Sequence, residues 1–353
     1  MTRTLTLPAA VDATAFRLLN DWQRDFPLVP RPFAHIAEAV GSDEAAVIAT
    51  YRRLAAEGVL SRVGAVFAPR RLGASALAAL AAPPERLAEV AARVSREAAI
   101  NHNYEREHRF NLWFVVTAPS PIELDAVVAR IEADTGCAVI VLPLEEEFHI
   151  DLGFDLAAGA GVRRACRAGR AVAGPAPPSS FGVERACALP ALERALLVAL
   201  QAGLPLVPAP FAALGAQAGL NEGATIAMIE DWLRDGLIRR FGAVVRHHEL
   251  GLDANAMCVW NVADDEVSAL GRRLAAEPAV TLCYRRRRAP PAWPYNLYCM
   301  IHGSAREAVL AARADIAGRL GLDARPHAVL FSRRRFKQQG ACYLPPQEVA
   351  SHA

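Results

Sequence analysis

A chain of 353 residues, 53% hydrophobic and 22% charged, has room for two or more domains with real cores. Its 39 basic and 37 acidic side chains leave a formal charge of +2, so no global field draws polyanions to it. Seven cysteines, at 137, 166, 187, 258, 283, 299 and 342, form no CxxC pair and no zinc-like spacing, and no uncharged apolar run reaches about 18 residues. A soluble cytoplasmic protein with free thiols, no resident metal and no membrane span is expected.

In chain order, DATAFRLLNDWQRDF (12–26) is amphipathic and predicts a first helix. PFAHIAEAVG (32–41) predicts a short second helix stopped by Gly41. SDEAAVIATYRRLAAEG (42–58) predicts a third, with Ser42 as N-cap and Gly58 at its C-terminus. Three helices on short turns, followed by VLSRVGAVFAP, have the form of a winged helix-turn-helix. Next come ASALAALAA, PERLAEVAARVSRE, AINHNYER, FNLWFVVTA, SPIELDAVVARIEADTG and CAVIVLPLEEEF, reading strand, helix, two strands, helix, strand. That order predicts a ferredoxin-like unit, with both helices on one face of an antiparallel sheet. Strand alternation sends His102, Tyr104, Arg106 and His108 to a single face, an unusual set for a plain sheet.

The chain is then written a second time. PLVP recurs at 27–30 and 205–208, and SRVGAVFAPRRLGA (61–74) aligns with RRFGAVVRHHELGL (239–252), both at an offset of 178. NYER (103–106) aligns with CYRR (283–286), FNLWF (110–114) with YNLYC (295–299), and VLPLEEEF (141–148) with VLFSRRRF (329–336). The offset grows from 180 to 185 across RRAPPAWP, which marks a five-residue insertion in the second copy. An α+β tandem duplication follows, packed as though two subunits had been fused. The expected domains are a helix-turn-helix over 1–62, a ferredoxin-like unit over 63–155, an Ala/Gly/Pro/Arg-rich linker over 156–181, a second helix-turn-helix over 182–240 and a second ferredoxin-like unit over 241–345.

At the level of fold, both halves resemble the leucine-responsive/asparagine-regulator family, which implies a ligand-responsive transcription regulator. The predicted DNA-reading helices argue against that role. The helix over 42–58 offers Arg52 and Arg53 only near its end, and NEGATIAMIEDWLRDG sets Glu222, Glu230, Asp231 and Asp235 against Arg234. Phosphates would repel such a surface, so DNA is not an expected partner.

A second resemblance is more specific. RRFGAVVRHHELG, ANAMCVWNV and CYRRRRAPPAWPYNLYCMIHG look like the second subunit of the siroheme decarboxylases, and NHNYEREHRFNLWFVV with EEEFHIDLGFDL looks like the first. The whole chain is thus similar to a fused two-subunit form, the form met in haem d1 biosynthesis. The position before CY, often His in the second type, is Leu282 here. The resemblance implies removal of carbon dioxide from two acetate side chains of siroheme, giving 12,18-didecarboxysiroheme. It implies no organic cofactor, because the iron enters with the substrate. A second copy of the chain or other decarboxylase subunits are the implied partners.

For that chemistry His247, His102 and His108 are the candidate proton donors, His247 and His102 foremost. Arg106, Arg246 and the run Arg285, Arg286, Arg287 and Arg288 are candidates for gripping carboxylates. Alternate members of the run must face away. Tyr104, Tyr284 and Tyr295 are candidates for orienting carboxylates or packing on the ring, with Asn296 and His302 beside them. The SRRRFK and EEEF runs suit a salt-bridged interface between the halves as well as a ligand site. A porphyrin carrier without catalysis is a third reading of the same residues.

Overall fold

A computed structural model describes residues 11–68, 71–150, 189–246, 254–303 and 305–344. His247 and the predicted linker therefore lie outside the described residues.

The first half opens with α1 (Ala13–Asp21), α2 (Pro32–Val40) and α3 (Glu44–Ala56). The cap of α3 is Asp43 and not Ser42: its carboxylate accepts from Ala46 N at 2.8 Å, a charge-assisted bond at the positive end of the helix. The second half repeats the three helices as α6 (Ala191–Gln201), α7 (Pro210–Ala218) and α8 (Glu222–Arg234), numbered after the two helices of the first barrel half described below. Leu18, Phe33 and Tyr51 share one buried core with Leu197, Phe211 and Trp232, so the two helical units fold as one body.

Two strands tie that body together. β1 (Leu60–Phe67) does not fold back as a local hairpin but pairs antiparallel with its own counterpart, β6 (Ile238–Val245). Gly64 pairs with Gly242, and these are equivalent positions of the repeat, so a pseudo-two-fold axis passes between them. Gly242 has no substitute there, because a Cβ would lie 2.3 Å from Trp22 O.

Each half continues as predicted into strand, helix, two strands, helix and strand. In the first these are β2 (Ala74–Leu80), α4 (Leu87–Arg96), β3 (Ile100–Arg106), β4 (Leu112–Ala118), α5 (Pro121–Thr135) and β5 (Val139–Ile150). In the second they are β7 (Ala254–Trp260), α9 (Val267–Ala275), β8 (Val280–Arg286), β9 (Leu297–Gly303), α10 (Arg306–Leu320) and β10 (His327–Gln338). The two sheets close into one eight-stranded barrel, ordered β10-β3-β4-β2-β5-β8-β9-β7. Its two seams, β5–β8 and β10–β3, each join one half to the other and are equivalent under the repeat.

Alternation divides every strand between two cores. Leu112, Phe114 and Val116 pack under α4 and α5, and Leu297, Cys299 and Ile301 under α9 and α10. Trp113, Met257, Val259, Tyr298, Met300 and Leu330 point inward and fill the barrel. The five-residue insertion seals one mouth: Trp293 is fully buried, its Nε1 donates to Tyr298 Oη at 2.7 Å, and its ring meets Trp113 at 4.9 Å. The opposite mouth faces the β1–β6 ribbon. From β10 the chain runs on past it into the helical core, where Tyr343 and Leu344 are buried.

Candidate active site

The open mouth is built by β3. Its register against β4 slips between Ile100 and His102, so Asn101 is taken up in a bulge and the following side chains are re-aimed. Asn103 then faces the helices, its Nδ2 donating to Ala91 O at 3.1 Å. His102 and Tyr104 stand opposite Val115 and Trp113, which point into the barrel, so His102, Tyr104 and Arg106 point inward too. The His102 ring stacks on Tyr104 at 6.3 Å, and the Arg106 guanidinium lies 5.9 Å from the Tyr104 ring. Across the seam, Gln338 pairs with His102 and Arg335 with Tyr104, and Arg335 Nη1 donates to Gln338 Oε1 at 3.2 Å. The ribbon adds Arg62 from β1 and Arg246 just past β6. The Arg246 backbone N–H donates to Val59 O at 2.8 Å and its Nη1 to Gly58 O at 3.2 Å.

This chamber is cationic and under-satisfied. Arg62 Nε, His102 Nδ1, Arg106 Nε and Arg246 Nε are all buried without a hydrogen-bond partner among the described residues. A buried polar atom left unpaired costs about 1–3 kcal/mol, so four converging on one space mark a place for an acceptor-rich ligand. Burial, and then the charge of Arg62, hold the His102 imidazole down at about 4, so the ring is neutral at pH 7. Burial also draws Arg62 down to about 10 and lowers Arg106. Tyr104 is raised by burial, against the opposing charges of Arg106, Arg335 and Arg246.

Other predicted residues lie elsewhere. His108 sits in the turn after β3, its backbone N–H donating to Arg106 O at 3.0 Å. There its Nδ1 accepts from Phe110 N at 3.1 Å and its ring meets Trp293 edge-on at 5.3 Å. It belongs to the sealed mouth, and burial followed by Arg109 lowers its pKa.

The arginine run divides as alternation requires. Arg286 points inward, its guanidinium 4.6 Å from the Tyr284 ring and its Nη1 donating to Leu142 O at 2.9 Å. Arg285 pairs with Glu145 at 2.9 Å and Asp264 at 3.0 Å, Arg287 is exposed beside Glu145 at 3.7 Å, and Arg288 pairs with Asp264 at 2.8 Å. Arg285 and Arg287 thus reach the first half through Glu145, while Arg288 is held within its own half by Asp264 and Asn261. Asn296 is held within the second half, binding the Val262 N–H and C=O at 2.9 Å each. Tyr295 packs edge-on against Trp293 at 4.9 Å, away from the open mouth. Tyr284 is buried and stacks on Tyr298 at 5.6 Å. His302 is a buried wall residue whose Nδ1 lies 2.8 Å from Thr281 Oγ1.

Sequence reasoning passed over Arg62 and Arg335 as site residues. The available signal was the difference between copies, since Arg335 stands where the first copy has Glu147. The remaining arginines of SRRRFK do bind the other half, Arg333 to Glu107 at 3.4 Å and Arg334 to Glu105 at 3.2 Å. In the helical body, Arg52 donates to Leu206 O at 2.7 Å and Arg53 pairs with Glu57 at 3.3 Å, so the arginines of α3 are engaged within the protein. Among the described residues, no group of His, Cys, Asp and Glu is placed to hold a metal ion, and no helix is long and apolar enough to cross a membrane.

Duplicated helix-turn-helix units over a shared barrel with a polar, cationic mouth define a tandem AsnC-like ligand-binding protein. An AsnC-like ligand binding domain matches residues 71–149 and 249–337, and a siroheme decarboxylase NirDL-like HTH domain matches 16–60 and 193–239. The siroheme decarboxylase NirDL subunit of Paracoccus denitrificans is 44% identical over 94% of this chain and 97% of its own length. The siroheme decarboxylase of Hydrogenobacter thermophilus is 31% identical over 91% and 92%. A crystal structure of the siroheme decarboxylase NirDL in complex with an iron-uroporphyrin III analogue superposes with a TM-score of 0.63, at 28% identity over 94% of this chain and 93% of that one. The chain belongs to the siroheme decarboxylase family, in its fused NirDL form.

Proposed function

We propose that this chain is a cytoplasmic carboxy-lyase that converts siroheme to 12,18-didecarboxysiroheme at the open mouth of the barrel. The observation that carries the reading is the chamber of Arg106, Arg246, Arg335, Tyr104 and His102, in which Arg106 Nε, Arg246 Nε and His102 Nδ1 are buried without a hydrogen-bond partner among the described residues. A macrocycle fringed with carboxylates supplies those partners in number, and forked guanidinium groups suit them.

Loss of carbon dioxide from an acetate leaves an electron pair on the methylene carbon next to the macrocycle. The ring system delocalises that pair, so the protein has to bind, exclude water and deliver a proton. Arg106, Arg246 and Arg335 hold carboxylates, Tyr104 orients them, and the Trp293 plug keeps the barrel dry behind the reacting face. His102 supplies the proton. The iron arrives with the substrate, and no organic cofactor takes part.

Anaerobic incubation with siroheme followed by mass spectrometry tests this directly. Product lighter by two carbon dioxide units is the expected result. Tight binding with unchanged mass turns the protein into a carrier and sinks the enzyme reading. A sequence-specific, salt-dependent shift of promoter DNA with intact siroheme points instead to a regulator.

A further inference from the structure

Arg62 reaches the chamber from the ribbon, through a slot between two glycines. A Cβ on Gly340 would lie 2.7 Å from Arg62 Nη1, and one on Gly203 would lie 3.0 Å from Arg62 Cβ. Gly340 belongs to the strand end that carries Gln338, the partner of His102, and Gln339 N donates to Asn101 O at 2.8 Å. The segment that confines the guanidinium is therefore the segment bonded beside His102. Within the slot Nη2 donates to Ala65 O at 2.9 Å, while Nε is buried with no partner among the described residues.

We propose that Arg62 receives one non-reacting carboxylate of the substrate, and that this pairing lets His102 take up the proton it delivers. The inference rests on siroheme decarboxylation at this mouth. The groups facing His102 are Arg62 from β1, Tyr104 and Arg106 from its own strand, Gln338 and Arg335 from β10 and Arg246 from the end of β6. All of these protein groups are neutral or cationic, which disfavours an imidazolium. A carboxylate set against Arg62 cancels the nearest of those fields and adds negative charge close to the ring, so the imidazolium becomes the favoured form. The bond from the acetate methylene to its carboxylate carbon then breaks, carbon dioxide leaves, and the electron pair stays on the methylene carbon. The imidazolium N–H gives its proton to that carbon to complete a methyl group. His102 returns to neutral and reloads from solvent, one proton per carbon dioxide.

The experiment uses the full chain, siroheme for turnover and metal-free uroporphyrin III as a diamagnetic probe, with histidine ionisation read by NMR. His102 in the native protein should be neutral at pH 7 when empty and protonated in the complex. Arg62→Gln should raise the pH at which empty His102 titrates and weaken probe binding by about ten-fold or more. Arg62→Lys keeps the charge, so His102 should stay neutral when empty while binding recovers only in part. Gly340→Ala, which crowds the guanidinium without removing it, should weaken binding with the melting transition retained. Native-like binding and turnover in Arg62→Gln, or a His102 that stays neutral in the complex, overturns the role of Arg62. Failure of the native chain to release carbon dioxide overturns the decarboxylase reading instead, so the two failures are distinguishable.

Discussion

Tyr104 and Arg106 in the first half correspond to Tyr284 and Arg286 in the second, and both pairs point into the same barrel across the pseudo-two-fold axis. Arg62 and Arg240 are likewise equivalent, each donating to the carbonyl three residues on, Ala65 at 2.9 Å and Ala243 at 3.1 Å. The difference lies in what surrounds them. The ribbon-facing end of the barrel thus offers two equivalent mouths, one beside β3 and one beside β8. Where the first has His102 the second has Leu282, and where the first has Arg335, Ser61 and Arg246 the second has Glu147, Arg239 and Ala68. Both carboxylate oxygens of Glu147 are bonded by the two terminal nitrogens of Arg239. Arg240 is further engaged by Gln23 O. The second mouth thus carries its own carboxylate on Arg239, although Arg286 Nε there is buried without a partner among the described residues just as Arg106 Nε is in the first. Substitutions at a few positions on a retained framework set the two mouths apart.

The largest effect should come from the position where the two mouths differ in chemistry. His102→Ala should lower turnover by about 10²–10⁴-fold, the usual worth of a positioned proton donor, with siroheme still bound. Leu282→Ala, the same truncation at the equivalent position, should change turnover by about two-fold or less. Single-turnover release of carbon dioxide measures both. Equal losses in the two variants would break the asymmetry.

A smaller effect belongs to stability. An imidazole held at about 4 when folded, against an ordinary 6.5, binds fewer protons in the native state than in the unfolded chain. Its contribution is intact above pH 6.5 and is lost as pH falls through that window toward about 4. The empty native protein should therefore lose melting temperature on acidification more steeply than His102→Gln. Saturating uroporphyrin III should flatten the difference, because the bound carboxylates raise the folded value. Parallel pH profiles for the two proteins would show that His102 is not held neutral.

Most of the fold was legible, because local signals and the repeat agree. Gly41 ends its helix at a φ of 73°, and the order of strands and helices follows the periodicity of each half. Barrel closure was not legible, since pairing of β5 with β8 depends on how two halves meet and leaves no mark in either alone. The candidate site was legible as a strand face: alternation gathers His102, Tyr104 and Arg106, while the strand ends at Arg106 and the turn places His108 at the sealed mouth instead of on that face. The arginine run did not show in sequence which of its members have carboxylate partners inside the protein. Arg285, Arg287 and Arg288 answer Glu145 and Asp264, carboxylates far away in sequence or across a loop.

The smallest expected effect is at Glu147. Its side chain is 22% exposed and that of Arg239 30%, so solvent screens the pair and its loss should cost no more than about 1 kcal/mol. Glu147→Gln should melt slightly lower at low salt, and the difference should shrink in high salt as screening removes it from the native protein as well. Turnover should be unchanged, since the pair lies at the mouth that lacks the histidine. The informative measurement is stoichiometry with uroporphyrin III. If the second mouth is closed by shape as well as charge, with Leu282 and the Tyr284–Tyr298 stack filling it, the variant should still bind one ligand per chain. A second equivalent bound by Glu147→Gln would instead make the Glu147–Arg239 pair the sole barrier, and the two mouths would then differ by one ion pair and not by packing.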